Sequence, residues 1–104
     1  MRLVGGDHKH MGNVYLGGSP VCDDGWQVAE GQVVCRQLGY PGIVRVTSNS
    51  YFGDVPSVFA MDDVNCSGRE GRLQDCSHNR HDNCGGGEGA GVVCRTGTTL
   101  TLFI

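Results

Sequence analysis

Val21-Cys22-Asp23-Asp24-Gly25-Trp26 and, a short way on, Val33-Val34-Cys35-Arg36-Gln37-Leu38-Gly39-Tyr40 are the stretches that decide how the rest of the chain is read. The first joins a cysteine to a pair of adjacent carboxylates. The second has helical periodicity. Ala29/Val33 and Val34/Leu38 are i,i+4 pairs with Gln32 and Arg36 opposite, so a helix is expected from Val28 to Leu38. Gly39 is placed to cap its C-terminal end. Gly31 interrupts the pattern at a cost of about 1 kcal/mol against alanine. Cys35 would pin this helix covalently to another element.

Working outward, six cysteines stand at positions 22, 35, 66, 76, 84 and 94, and none forms a Cys-x-x-Cys pair. An even, dispersed set in a short chain reads as a disulfide framework made in an oxidising, extracellular compartment. Spacing alone leaves the connectivity open. The chain has 104 residues, 38% hydrophobic and 7% aromatic, with 18 glycines. That suits a single domain with a lean core and many turns, in which bridges supply what burial does not. Each would stabilise by about 2–4 kcal/mol. The net charge of −3 and the lack of a basic run argue against a nucleic-acid partner. No apolar run reaches the roughly 20 residues that span a bilayer, so no membrane insertion by this domain is expected. No leader is visible before Leu3, which suits an excised or mature portion of a secreted protein.

Strands are expected at Leu3–Gly6, Asn13–Leu16, Val21-Cys22, Ile43–Thr47 and Val92–Cys94, with turn chemistry over Gly17-Gly18-Ser19-Pro20. Val58–Met61 is an apolar run read as a buried strand that ends at Asp62-Asp63. Arg69–Cys76 holds a short helical turn, and residues 78–91 read as irregular loop. Thr99–Ile104 alternates and is either a strand or a linker.

Asp23-Asp24 and Asp62-Asp63 pair like charges, which raise each other's pKa unless something positive relieves them. A hard cation such as calcium would do so. The plainer alternative is that one aspartate caps the following helix and the others are solvated turn residues. Asn83 and Glu88 offer further oxygen donors in the glycine-rich loop. Cys76-x-His78-x-x-His81-x-x-Cys84 is a candidate zinc set, with surface histidines as the alternative. Asn65-Cys66-Ser67 meets the N-glycosylation pattern. No Gly-x-Ser-x-Gly elbow or free thiol nucleophile is apparent, so no catalysis is expected.

These motifs resemble, in order, those of the scavenger receptor cysteine-rich (SRCR) family. Arg2-Leu3-Val4-Gly5-Gly6 is similar to its opening, and the two stretches quoted first are similar to its most recognisable segments. Tyr51-Phe52-Gly53, Met61-Asp62-Asp63-Val64-Asn65-Cys66-Ser67-Gly68-Arg69-Glu70, Leu73-Gln74-Asp75-Cys76-Ser77-His78, His81-Asp82-Asn83-Cys84 and Ala90-Gly91-Val92-Val93-Cys94 continue the likeness over residues 2 to 94.

The resemblance implies the six-cysteine group A form, with pairs Cys22–Cys84, Cys35–Cys94 and Cys66–Cys76. It implies an α+β fold, small and disulfide-rich, in which a curved antiparallel β-sheet cradles one α-helix among long ordered loops. The domain would span residues 1–95, with 96–104 a tail or linker. Two calcium sites follow by similarity, one from Asp23, Asp24 and Glu88, the other from Asp62, Asp63 and Asn83. Arg36, Arg45, Arg69, Arg72 and Arg80 are candidates for a flanking basic patch. The function implied is extracellular recognition of protein, microbial or polyanionic ligands, often with calcium, within a larger multidomain protein. The alternative is a non-catalytic accessory domain of an extracellular enzyme such as a serine protease or amine oxidase. The chain departs from the family pattern in three places. Gly18-Ser19-Pro20 replaces Gly-x-Trp-Gly-Thr, a Trp-Gly is missing after His78, and Glu88-Gly89 stands where Glu-Asp is common.

Overall fold

The helix expected from the apolar spacing is α1, Val28–Gln37, in a computed structural model that describes residues 1–97. Gln27 is its N-cap, and its backbone N–H donates to the Glu30 carboxylate at 2.7 Å. No aspartate caps this helix: Asp23 and Asp24 lie in the turn before it. At the other end Leu38 is the C-cap and Gly39 takes φ 93°, the left-handed conformation that suits glycine. Val33, Val34 and Cys35 are buried.

Val33, Val34 and their neighbours pack against an antiparallel sheet. Its strands are β1 (Arg2–Gly5), β2 (Met11–Leu16), β3 (Ser19–Pro20), β4 (Ile43–Thr47) and β7 (Gly91–Cys94). They run in the order β1-β2-β7-β4, with β3 paired to β2. Gly31 sits where α1 crosses β4. A Cβ there would lie 2.1 Å from Ile43 Cδ1 and 2.6 Å from Val46 Cγ1. The glycine that weakens the helix thus permits its close approach to the sheet.

A second sheet is the pair β5 (Asp62–Asn65) and β6 (Ser77–Asn79), with a 3-10 turn, Leu73–Asp75, leading into β6. The main core gathers Val14, Val21, Trp26, Val33, Val34, Val64, Leu73 and Val92 between these layers. The Trp26 indole N–H donates to the Gly91 carbonyl at 2.9 Å, so this one buried tryptophan also satisfies its polar atom. Three disulfides join the parts: Cys22–Cys84, Cys35–Cys94 and Cys66–Cys76. The second ties α1 to β7, as a pinned helix requires. Among the described residues the architecture is the small disulfide-rich α+β fold with antiparallel sheets and one α-helix.

Several local expectations change. Val58–Met61 forms no strand: Val58 is 73% exposed, whereas Phe59 and Met61 point inward. Met61 makes only an isolated bridge to Val21, and Asp62-Asp63 begin a strand instead of following one. Val21 and Cys22 likewise make single bridges, to Met61 and Gly89. The turn after β2 contracts to Gly17-Gly18, at φ 57° and 89°, because Ser19 and Pro20 pair back onto Leu16 and Tyr15. His78 lies in β6 rather than in loop. The zinc set does not stand, since Cys76 and Cys84 are both in disulfides and their sulfurs are not thiolates. The reading of Thr99–Ile104 lies outside the described residues.

Candidate functional site

Three loops distant in sequence are laced together by backbone hydrogen bonds around Cys22. The Cys22 N–H donates to the Met61 carbonyl at 2.9 Å, and the Asp23 N–H donates to the Glu88 carbonyl at 2.9 Å. The Ala90 N–H donates to the Val21 carbonyl at 2.8 Å. The Cys22–Cys84 disulfide closes the same junction covalently. The segment carrying Asp23-Asp24 is therefore held between the one carrying Asp62-Asp63 and the one carrying Glu88.

Asp24 is at the centre of the resulting acidic cluster. Asp24, Asp62 and Asp63 each bring a carboxylate oxygen within 4.8 Å of the others. Asp24 and Glu88 lie within the same distance of each other and of the Cys22–Cys84 sulfurs. Asp24 Oδ2 is 3.9 Å from Cys84 Sγ. Burial raises the pKa of Asp24 above its ordinary value, and the carboxylates of Asp62, Glu88, Asp63 and Asp23 raise it further.

The aspartates differ in how they are held. Asp62 is buried, and its Oδ1 accepts the Asp63 N–H at 2.7 Å. Asp63 is exposed and sits at φ 52°, a left-handed conformation that aspartate tolerates better than most residues. The Asn79 amide on β6 donates to Asp63 Oδ2 at 3.0 Å. Asn79 was not among the sequence candidates, because only the β5–β6 pairing brings it to the site. Glu88 Oε2 accepts the Gly85 N–H at 2.6 Å, which fixes the glycine-rich loop across its own carboxylate.

Asp23 turns to another task. Its Oδ2 accepts the Asn49 N–H at 2.6 Å, where Asn49 and Ser50 take φ 57° and 51°. Ser50 then bridges the 86–89 segment: its hydroxyl donates to the Gly86 carbonyl at 2.7 Å and accepts the Gly89 N–H at 2.8 Å. Asp23 is thus tied to the scaffold that supports the cluster. The Asn83 side-chain oxygen is 3.7 Å from Cys84 Sγ, on the disulfide side of the junction.

The arginines divide. Arg36 Nη2 donates to the Glu70 carbonyl at 3.0 Å, which sets it beside the loop carrying Arg69 and Arg72. Arg72 pairs with Asp75 at 3.0 Å, and that carboxylate raises its pKa. Arg45 lies on β4, its guanidinium 5.0 Å from the Tyr51 ring centre. Arg80 is exposed beyond β6. The sequence did not reveal this division, which follows from the fold of the 67–75 loop.

The Cys22 and Cys84 sulfurs near Asp24 are tied up in a disulfide, so the donors left there are carboxylate oxygens with excess negative charge, a combination that suits a divalent cation such as calcium. The residues present fit that ion.

The family model of the scavenger receptor cysteine-rich domain matches residues 4–95. A scavenger receptor cysteine-rich domain superfamily protein of Patiria pectinifera is 47% identical over 102 residues, which cover 91% of this chain and 9% of that protein. The chain therefore spans under a tenth of that relative's length. The crystal structure of the third SRCR domain of murine neurotrypsin aligns with a TM-score of 0.80 at 41% identity, covering 89% of this chain and 92% of that one. The dimeric form of the SRCR domain of mouse MARCO aligns at 0.72 and 37% identity, covering 91% and 94%.

Proposed function

The chain belongs to the scavenger receptor cysteine-rich family, and on that footing we propose that it is a calcium-dependent recognition module for anionic surfaces or protein ligands. Domains of this family are extracellular, receptor-type binding modules and are typically non-catalytic. Among the described residues no helix is long and apolar enough to cross a membrane. The observation that supports the finer reading is that Asp24 is shared by two carboxylate groups, one with Asp62 and Asp63 and one with Glu88.

Asp24, Asp62 and Asp63 would hold the ion, with Glu88 contributing from the disulfide side. Calcium bound there would neutralise the carboxylates and offer a coordination position to an anionic group of the ligand. The chain's own part is to keep like charges together. The Cys22–Cys84 bridge and the backbone bonds across residues 22, 61 and 88 hold the loops against their repulsion. Asn79 orients Asp63, and Asp23 anchors the neighbouring loop through Asn49. Arg69, on the 67–75 loop and outside the Arg72–Asp75 pair, would add positive charge that steers an anionic ligand.

The test is capture of the domain on dextran-sulfate beads with calcium, and again with a chelator. Capture that needs calcium and falls at least tenfold in Asp62→Asn with Asp63→Asn supports the reading. Capture indifferent to the chelator would remove the metal from it.

A further inference from the structure

Away from the acidic junction, α1, β4 and the end of β7 enclose an open groove of about 850 Å³. Its lining includes His10, Arg36 and Arg95, with Pro41, Ile43 and Val44 as an apolar floor, and it contains no aspartate or glutamate among the described residues. In a chain of net charge −3 such a segregation is notable. The two guanidinium groups are held by backbone carbonyls rather than by carboxylates. Arg36 Nη2 donates to the Glu70 carbonyl at 3.0 Å, and Arg95 Nε donates to the Ile43 carbonyl at 3.4 Å. Their charge is positioned but not neutralised. Among the described residues the salt bridge formed is elsewhere, between Arg72 and Asp75. The carboxylate of Glu70, whose backbone carbonyl Arg36 meets, is itself turned onto the Ser67 and Gly68 N–H groups. His10 is fixed at the rim by the Cys94 N–H, which donates to its carbonyl at 2.7 Å.

We propose that this groove is a second, metal-independent binding site, and that it takes an acidic peptide segment in extended conformation. It goes beyond the calcium reading and does not depend on it. Charge complementarity selects the anion, since guanidinium groups match carboxylates in a planar fork. The backbone selects a peptide. Among the described residues β4 is an edge strand of the sheet; Val44, at the break in the β4–β7 register between Ile43 and Arg45, is 61% exposed, and the regular stretch of the edge beyond it, Arg45–Thr47, presents unpaired backbone groups to an incoming chain. Alternate side chains of that chain, roughly 7 Å apart, would face the groove and reach Arg36 and Arg95.

The probe is a fluorescein-labelled peptide of alternating glutamate and valine, titrated into the domain with EDTA present and followed by anisotropy. The site predicts saturable binding in EDTA, with amide chemical-shift changes at Val44 and Val93. Arg36→Gln and Arg95→Gln should each weaken it about tenfold or more, the scale of one lost charged hydrogen bond. Arg2→Gln, which removes the same charge from β1, should leave it unchanged. Equal weakening by Arg2→Gln would reduce the effect to net charge and overturn the proposal. So would binding that needs calcium, which would move the peptide to the acidic junction, or binding of a sulfated oligosaccharide in place of the peptide. Loss of calcium-dependent capture with the peptide titration intact would refute only the calcium reading.

Discussion

Gly31 shows how a single residue carries two opposed demands. Helix propensity alone makes alanine the better residue by about 1 kcal/mol. In the fold a Cβ at this position meets the side chains of Ile43 and Val46 at 2.1 and 2.6 Å. Ile43 can rotate its terminal methyl aside, but Val46 is branched next to its backbone and cannot. Gly31→Ala should therefore lower stability by about 1–2 kcal/mol in urea unfolding, against the propensity trend. Glu70 gives a residue-scale prediction in pH. Its carboxylate accepts the Ser67 backbone N–H at 2.9 Å, and the Ser67 hydroxyl and Gly68 N–H add to it. Its pKa is lowered from 4.5 to about 2, chiefly by the Ser67 backbone. The charged form is thus favoured in the folded state, so its stabilisation is full above about pH 4.5 and is lost as pH falls toward about 2. Comparing Tm of the parent and Glu70→Gln across that window should show a gap that closes on acidification. Neither effect was legible beforehand. The sequence marks Gly31 as a helix defect and Glu70 as one acid among 11, because both effects depend on neighbours brought in by the fold.

At the scale of elements, α1 is held to the rest of the molecule from two sides. Cys35–Cys94 ties it to β7, and the buried Glu30 carboxylate ties it to the end of β5 by accepting the Cys66 N–H at 2.8 Å. The same carboxylate accepts the Gln27 N–H and so caps the helix. Glu30→Ala would leave two donors without a partner, one of them buried, and should cost about 2–4 kcal/mol by thermal unfolding. The helix itself was legible to within a residue at its C-terminal end, because apolar spacing and a following glycine are local signals. Strands β2, β4 and β7 were legible on the same ground. The β5–β6 hairpin was not. Asp-Asp-Val-Asn and Ser-His-Asn carry no clear strand pattern, and they pair across the Cys66–Cys76 bridge. The apolar run at 58–61 misled for the opposite reason: its composition suits a strand, but only Phe59 and Met61 turn inward.

Across the whole molecule, the covalent frame and the acidic junction belong together. The Cys22–Cys84 bridge closes a separation of 62 residues, and Cys35–Cys94 one of 59. Loops of that length gain about 4 kcal/mol each from closure, comparable with the whole stability of a small domain. Full reduction should therefore unfold the domain at 37 °C, seen as loss of the Trp26 fluorescence of the buried state. The acidic residues were legible in the sequence as two Asp-Asp pairs and a glutamate. Their sharing of Asp24 was not, since it arises from backbone bonds between loops about 40 and 65 residues apart. The most direct measurement is Tm of the oxidised domain against calcium concentration, with magnesium as the control. A ligand that binds only the folded state adds about 2.7 kcal/mol at a hundred times its Kd. The account predicts a saturable, calcium-specific rise that is lost on Asp62→Ala with Asp63→Ala. A Tm that stays flat up to millimolar calcium, or rises equally in that double variant, would contradict it.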